Sequence, residues 1–178
     1  MLEQKFKKII FNKTLKKYDN ALKTQAIFAL ASRALQKGVE QEYFLPTFLT
    51  RRESHEVRMA AFDIMMRGTP TTTTFNKIMT YMIYETDYEV FNYVYTAFEK
   101  FATNTHEPCF DNTHTYAKYF IKYWKQHMWQ KPKYTIGLSK SFSNSFNQEK
   151  YGYSGSVEVH TVGSHKATTP LSIMVDVR

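Results

Sequence analysis

The sequence predicts an α+β fold: an α-solenoid of helix pairs, the end of a two-layer helical superhelix, followed by the first strands of an open antiparallel β-sheet. Three observations predict it. In Glu56 to Met66, EVRMAAFDIMM, the residues Val57, Ala60, Ala61, Ile64 and Met65 fall at the spacing of one helix face. Val90, Val94, Ala97, Phe98 and Phe101 repeat that stripe, with Glu89-Val90 placed 33 residues after Glu56-Val57, a period that marks stacked helix pairs. Beyond Pro132 the apolar period changes from helical to two.

A length of 178 residues suits one ordinary domain or parts of two, and a hydrophobic content of 43% argues for a packed core. The net charge of +8, with pI near 9.4, raises the question of an anionic partner. The lysines concentrate between Lys5 and Lys17 and between Lys118 and Lys133, near element ends, where they read as solvated faces. Nucleic acid is therefore not expected as a partner. No apolar run reaches the about 18 residues that a membrane-spanning helix needs. The first residues, MLEQKFKKIIFNK, carry lysines within them and have no cleavage site, so they are not a signal peptide. Cys109 is the single cysteine and cannot close an internal disulfide.

The elements follow in order. Met1 to Phe11 reads as a basic amphipathic helix with Leu2, Phe6, Ile9 and Ile10 on one side. Asp19 or Asn20 caps a helix from Ala21 to Lys37, with Leu22, Ala26, Ala29, Leu30 and Ala34 as its inner positions, and Gly38 ends it. Gln41 to Leu49 is a short partner helix limited by Pro46. Ser54 caps the helix containing Glu56 to Met66, and Gly68-Thr69-Pro70 stops it. Thr71 to Thr74 begins a helix through Tyr84 with Phe75, Ile78, Met79, Met82 and Ile83 as its stripe. Asp87 caps Tyr88 to Ala102. After a loop from Thr103 to Asn112 comes a helix from Thr113 to about Gln130, carrying Tyr116, Tyr119, Phe120, Tyr123, Trp124, His127 and Met128. Leu22, Val57 and Val90 take equivalent places, spaced by 35 and then 33 residues, so three pairs are expected.

The expected division is a helical segment at 1–131 and a sheet segment at 134–178. Tyr134, Ile136, Leu138 and Phe142 form one strand, Phe142 to Gly155 a polar turn-rich connection, and Gly155 to Val162 a second strand. Gly163 to Pro170 is a loop, and Leu171, Ile173, Val175 and Val177 form a third strand. Such strands have one apolar face that needs a cover: either the end of the solenoid supplies it, or this chain is a piece of a longer one.

No catalytic constellation emerges, and an enzyme is not expected. His55-Glu56 resembles the first half of a zincin motif, but Met59 stands where the second His is required. His106, Cys109 and His114 lie near one another without a fourth ligand at suitable spacing, so no metal site is assigned. Gly152-Tyr153-Ser154-Gly155-Ser156 lacks the strand-to-helix setting of a nucleophile elbow and reads as the start of a strand where glycine relieves crowding. Tyr119, Tyr123 and Trp124, interleaved with Lys118, Lys122 and Lys125, read as aromatics packing on the preceding pair while the lysines face water. Stacking of bases or a lipid interface is the alternative for that stretch.

HEVRMAAFDIMMRGTP from His55 to Pro70, followed by EVFNYVYTAFEKFATNT from Glu89 to Thr105, resembles the helical domain of the large lipid transfer proteins. Val90, Asn92, Tyr93, Val94, Tyr95 and Thr96 fit the second of the two segments that mark it. Tyr134 to Phe142 and Gly152 to Val177 resemble the beginning of that family's open lipid-cavity sheet. Within the family the vitellogenins are the first choice and the apolipophorins the next.

The resemblance implies a secreted lipoprotein that transports and stores lipid, with the helical layer bracing a sheet that lines a lipid cavity. It implies phospholipid and neutral lipid bound in the full-length parent, the remainder of the parent chain as partner, and receptor binding elsewhere in that parent; no other cofactor is expected. The positions then expected to face lipid are Ile136, Leu138, Phe142, Val157, Val159, Ile173 and Val175. Each would serve equally to pack a sheet onto helices. A HEAT-like scaffold gripping a protein partner is the alternative function.

Overall fold

A computed structural model describes residues 2–11, 19–37, 41–67, 70–103, 111–127, 140–162, 169–170 and 172–177. The fold class is α+β, as expected. Among the described residues seven helices precede three strands: α1 (Leu2–Phe11), α2 (Asn20–Lys37), α3 (Gln41–Leu49), α4 (His55–Arg67), α5 (Thr72–Ile83), α6 (Tyr88–Thr103), α7 (Asp111–His127), β1 (Lys140–Gln148), β2 (Tyr153–Val162) and β3 (Ser172–Val177). The chain groups into two compact units, Met1–Tyr84 and Glu85–Arg178. The change of period expected between 131 and 134 lies outside the described residues.

In the first unit α4 is the central helix, packed against both α2 and α3. Its sequence shows an apolar stripe, yet every residue from Val57 to Met66 is buried, including Arg58 and Asp63. Arg58 is accommodated because α3 ends beside it. The Phe48 carbonyl, in the last turn of α3, has no helical donor, and Arg58 Nε donates to it at 2.9 Å. The guanidinium also lies 5.8 Å from the ring centres of Phe48 and Tyr81. Pro46 sits inside α3 rather than at its start, and its carbonyl accepts from Thr50 Oγ1 at 2.7 Å.

The start of α4 follows the expected capping: Val57 N–H points to Ser54 Oγ at 3.5 Å, and Arg58 N–H donates to the Ser54 carbonyl at 3.0 Å. Thr71 caps α5 by accepting from the Thr74 N–H at 3.2 Å. At the far end of α5, Arg51 Nη2 donates to the Tyr84 carbonyl at 2.5 Å, closing an orphan acceptor.

The register of α2 corrects the expected one. Leu22 is 50% exposed, and Ala29 is exposed as well, whereas Lys23, Ala26, Ile27 and Leu30 are buried. This row aligns with Val57, Ala60, Ala61 and Ile64, and again with Val90, Tyr93, Val94 and Ala97, all buried. The repeat is therefore 34 and then 33 residues, from Lys23 to Val57 to Val90. A buried lysine at the leading position concealed it. Lys23 Nζ donates to both carboxylate oxygens of Glu53, at 3.0 and 2.8 Å.

In the second unit α6 packs against α7 and also against β1. Glu85 Oε1 accepts from the N–H groups of Thr86 and Asp87, and Asp87 Oδ1 caps α6 through the N–H groups of Glu89 and Val90 at 3.0 and 3.2 Å. The inner row of α7 is Thr113, Ala117, Phe120 and Trp124, at i, i+4, i+7 and i+11. Phe91 stacks on Trp124 with centroids 4.7 Å apart, and Phe98 on Phe120 at 4.1 Å.

The three strands form one antiparallel sheet in the order β1-β2-β3, with Phe142 opposite Val159 and Val159 opposite Val175. The stretch expected as a polar connection, Phe142 to Gly155, is instead mostly strand. β1 runs to Gln148, a single 3-10 turn spans Glu149–Tyr151, and β2 starts at Tyr153. Ladder pairing with β2 decides the backbone there, despite the serines and asparagines. Gly152 has φ 68, so it serves the turn by adopting a left-handed conformation, and open space surrounds it. Relief of crowding is not its role.

The ion pair of the first unit, buried at Lys23 and half-buried at Glu53, gives a direct expectation. Lys23→Ala leaves the half-buried Glu53 carboxylate without its cation and should cost about 1–3 kcal/mol. Lys23→Met with Glu53→Gln should cost less. Urea unfolding followed by circular dichroism measures both.

Candidate functional site

The alternation of β-strand side chains gives the sheet two unlike faces. Ser141, Glu158 and His160 share one face, and α6 meets them with Tyr93, Thr96 and Lys100, at i, i+3 and i+7. Tyr93 Oη and His160 Nδ1 share a buried hydrogen bond of 2.6 Å. Lys100 Nζ lies 3.2 Å from Glu158 Oε1, and His160 Nε2 lies 3.5 Å from Glu158 Oε2. Thr96 Oγ1 accepts from the Ser141 N–H at 3.1 Å while donating within its own helix to the Asn92 carbonyl at 2.9 Å. The contact between helix and sheet is thus carried by polar groups.

The opposite face carries the apolar row. Phe142, Val159 and Val175 are directly opposed across the three strands, and Val157 is opposed to Val177. Phe142 is 54% exposed, Ile173 and Val175 are each 61% exposed, Val157 and Val177 are also exposed, and Val159 is half-buried. Of the seven positions expected to face lipid, five fall together on this one face. Ile136 and Leu138 lie outside the described residues. Val177 belongs to the same row as Val157, and the alternation already placed it there. Lys140, Asn144 and Thr161 share the face and make it amphipathic at one side.

The residues that hold the sheet were missed as a set. Their signal was present: Tyr93, Thr96 and Lys100 form a second stripe on α6, beside the one that meets α7. A polar stripe on a helix reads as solvent-facing until a polar sheet face is there to meet it.

The remaining chemistry resolves locally. His55 Nε2 lies 3.0 Å from Glu56 Oε1, and this close contact is the first cause that lowers the Glu56 carboxyl from 4.5 to about 2, against the upward pull of burial. His114 Nδ1 bonds to the Phe101 carbonyl at 2.9 Å, closing an acceptor in the last turn of α6; His106 and Cys109 lie outside the described residues. The Tyr95 phenol is pushed up to about 12 by burial and then by the nearby Glu99. Among the described residues no group of three or more His, Cys, Asp or Glu side chains is placed to hold a metal ion, and no helix is long and apolar enough to cross a membrane.

A run of helix pairs with a 34- and 33-residue repeat, leading into a sheet whose apolar face is turned from its helix, defines a repeat scaffold carrying an amphipathic sheet. Residues 2–99 match the family described as the vitellogenin TPR domain. That match spans more than half of the sequence, and the chain belongs to this family. Among solved structures, one described as "lipid-protein interactions in lipovitellin" is similar over 98% of this chain, with a TM-score of 0.79 and 18% sequence identity. The fold extends to both helices and sheet in that comparison, and this chain spans 18% of the lipovitellin chain. No curated protein matches the sequence. The resemblance to the large lipid transfer proteins is borne out in family and in fold.

Two measurements bear on these contacts. Tyr93→Phe removes the hydroxyl bonded to buried His160 and should cost about 1–3 kcal/mol, whereas exposed Ile173→Thr should be near neutral; hydrogen exchange of the sheet amides reads the difference. Because the folded pKa of Glu56 is depressed, its stabilising contribution is complete above about 4.5 and is lost as pH falls toward about 2. The stability gap between the wild type and Glu56→Gln should therefore close over that window in urea unfolding followed as a function of pH.

Proposed function

We propose that this chain is part of a lipid-transporting and lipid-storing lipoprotein of the vitellogenin type, in which α6 braces a sheet that forms part of the wall of a lipid cavity. The observation that carries the reading is the sidedness of the sheet. Its polar face is engaged by the helix, and Phe142, Val157, Val159, Ile173, Val175 and Val177 are left on the other. Full burial of such side chains is worth about 1.5–3 kcal/mol each. Acyl chains laid against them would gain about 0.8 kcal/mol per CH₂ removed from water. The division of labour is a helical segment over 1–131 and a lipid-facing sheet segment over 134–178.

The occupant is phospholipid and neutral lipid, held in concert with the rest of a longer parent chain. In such a parent the role is that of a secreted yolk precursor, with receptor contacts made by other segments. The covered chemistry is non-covalent, and no enzymatic step enters.

Native mass spectrometry of the parent, before and after lipid extraction, tests the reading: co-purifying phospholipid is expected. In the chain itself, Val157→Asp with Val175→Asp should weaken binding of a fluorescent fatty-acyl probe by at least on the order of tenfold, since two apolar contacts are lost and charge is introduced. Equal binding by this variant and the wild type would remove the sheet face from the lipid wall.

A further inference from the structure

We propose that the outward face of α7 binds the surface of an anionic phospholipid bilayer, through a contact separate from acyl-chain burial on the sheet. Lys118, Lys122 and Lys125 are all exposed and stand at i, i+4 and i+7, a stripe about 10 Å long. Among the described residues none of the three has an ion-pair partner, and Asp111, in the first turn, is the only acidic residue of the helix. Beside this stripe Tyr119 is 59% exposed and its ring stacks on Tyr123 with centroids 6.4 Å apart. Packing onto the preceding helix accounts for Trp124 and Phe120, while Tyr119 stays exposed beside the lysines.

A phenol has an apolar body and a polar tip, and a lysine has an apolar stem and a cationic head. Both place their ends at the level of lipid headgroups. Each lysine near an anionic leaflet adds about 1 kcal/mol of attraction. Two features favour a bilayer over a polynucleotide. The helix contains no arginine, the side chain suited to paired phosphate contacts, and the tyrosine rings close on each other instead of leaving a slot for a base. A lysine stripe along a single helix face also suits an extended flat surface better than an acidic peptide.

Flotation of the 178-residue chain with phosphatidylcholine vesicles, with and without phosphatidylserine, tests this. Binding should rise with phosphatidylserine and fall with added salt. Lys118→Gln, Lys122→Gln and Lys125→Gln together should weaken the phosphatidylserine-dependent part about a hundredfold, while replacement of the same three by Arg should retain it. Tyr119→Ser should weaken binding with an unchanged salt dependence. Circular dichroism and tryptophan fluorescence establish that each variant is folded; should the triple Gln variant be unfolded, Lys122→Gln alone with a salt titration carries the same comparison. The sheet variant Val157→Asp with Val175→Asp should keep the phosphatidylserine-dependent part, which separates this test from that of the lipid wall. The proposal is overturned by equal binding of the folded Gln variant and the wild type, or by wild-type preference for single-stranded RNA or polyglutamate over the anionic vesicles.

Discussion

The hydrogen bond between Tyr93 and His160 decides which side of the sheet is turned away from α6. A buried imidazole requires a partner, and the phenol hydroxyl of α6 provides it at 2.6 Å. Thr96 and Lys100 extend the engagement along the same helix stripe to Ser141 and Glu158. Because β-strand side chains alternate, committing His160, Glu158 and Ser141 to the helix commits Val159, Val157 and Phe142 to the opposite side. A register shift of one residue would drive valines into the polar stripe and leave His160 and Glu158 without their partners.

Helix α6 can do this because it has two working faces. Phe91 and Phe98 stack on Trp124 and Phe120 of α7, whereas Tyr93, Thr96 and Lys100 meet the sheet. The central helix of the first unit shows a related logic. α4 is buried around its whole circumference, so its Arg58 cannot reach bulk water and instead satisfies a helix-end carbonyl beneath two aromatic rings. In both units a polar side chain that looks superficial in the sequence is what an inner helix uses to join its neighbours.

That same feature sets the limit of what was legible. Helix boundaries followed from caps and breakers, because Ser54, Thr71 and Asp87 act locally and their partners lie within three residues. Five of the positions expected on one sheet face share it, because period-two alternation is also local. The α2 register was displaced by one residue because Lys23, at the leading buried position, is neutralised by Glu53 from a distant turn. β1 was cut short because its serines and asparagines resemble a loop when their ladder partners, 153 to 161, are not considered. Both of these differences trace to polar residues whose partners lie elsewhere in the chain.

The energetics of the sheet turn on what α6 offers it. Net gains of about 1 kcal/mol per hydrogen bond are modest beside the burial available to valine, isoleucine and phenylalanine. A sheet free to choose would therefore lay its apolar face on the helix. It does not, because α6 offers it Tyr93, Thr96 and Lys100, and a valine set against these would strand the Tyr93 hydroxyl and take the carboxylate partner from Lys100. α6 thus takes the polar face of the sheet and leaves the apolar one on the side away from it. In the proposed reading the cover of that face is apolar and offers no hydrogen bonds, which is the chemistry of an acyl chain.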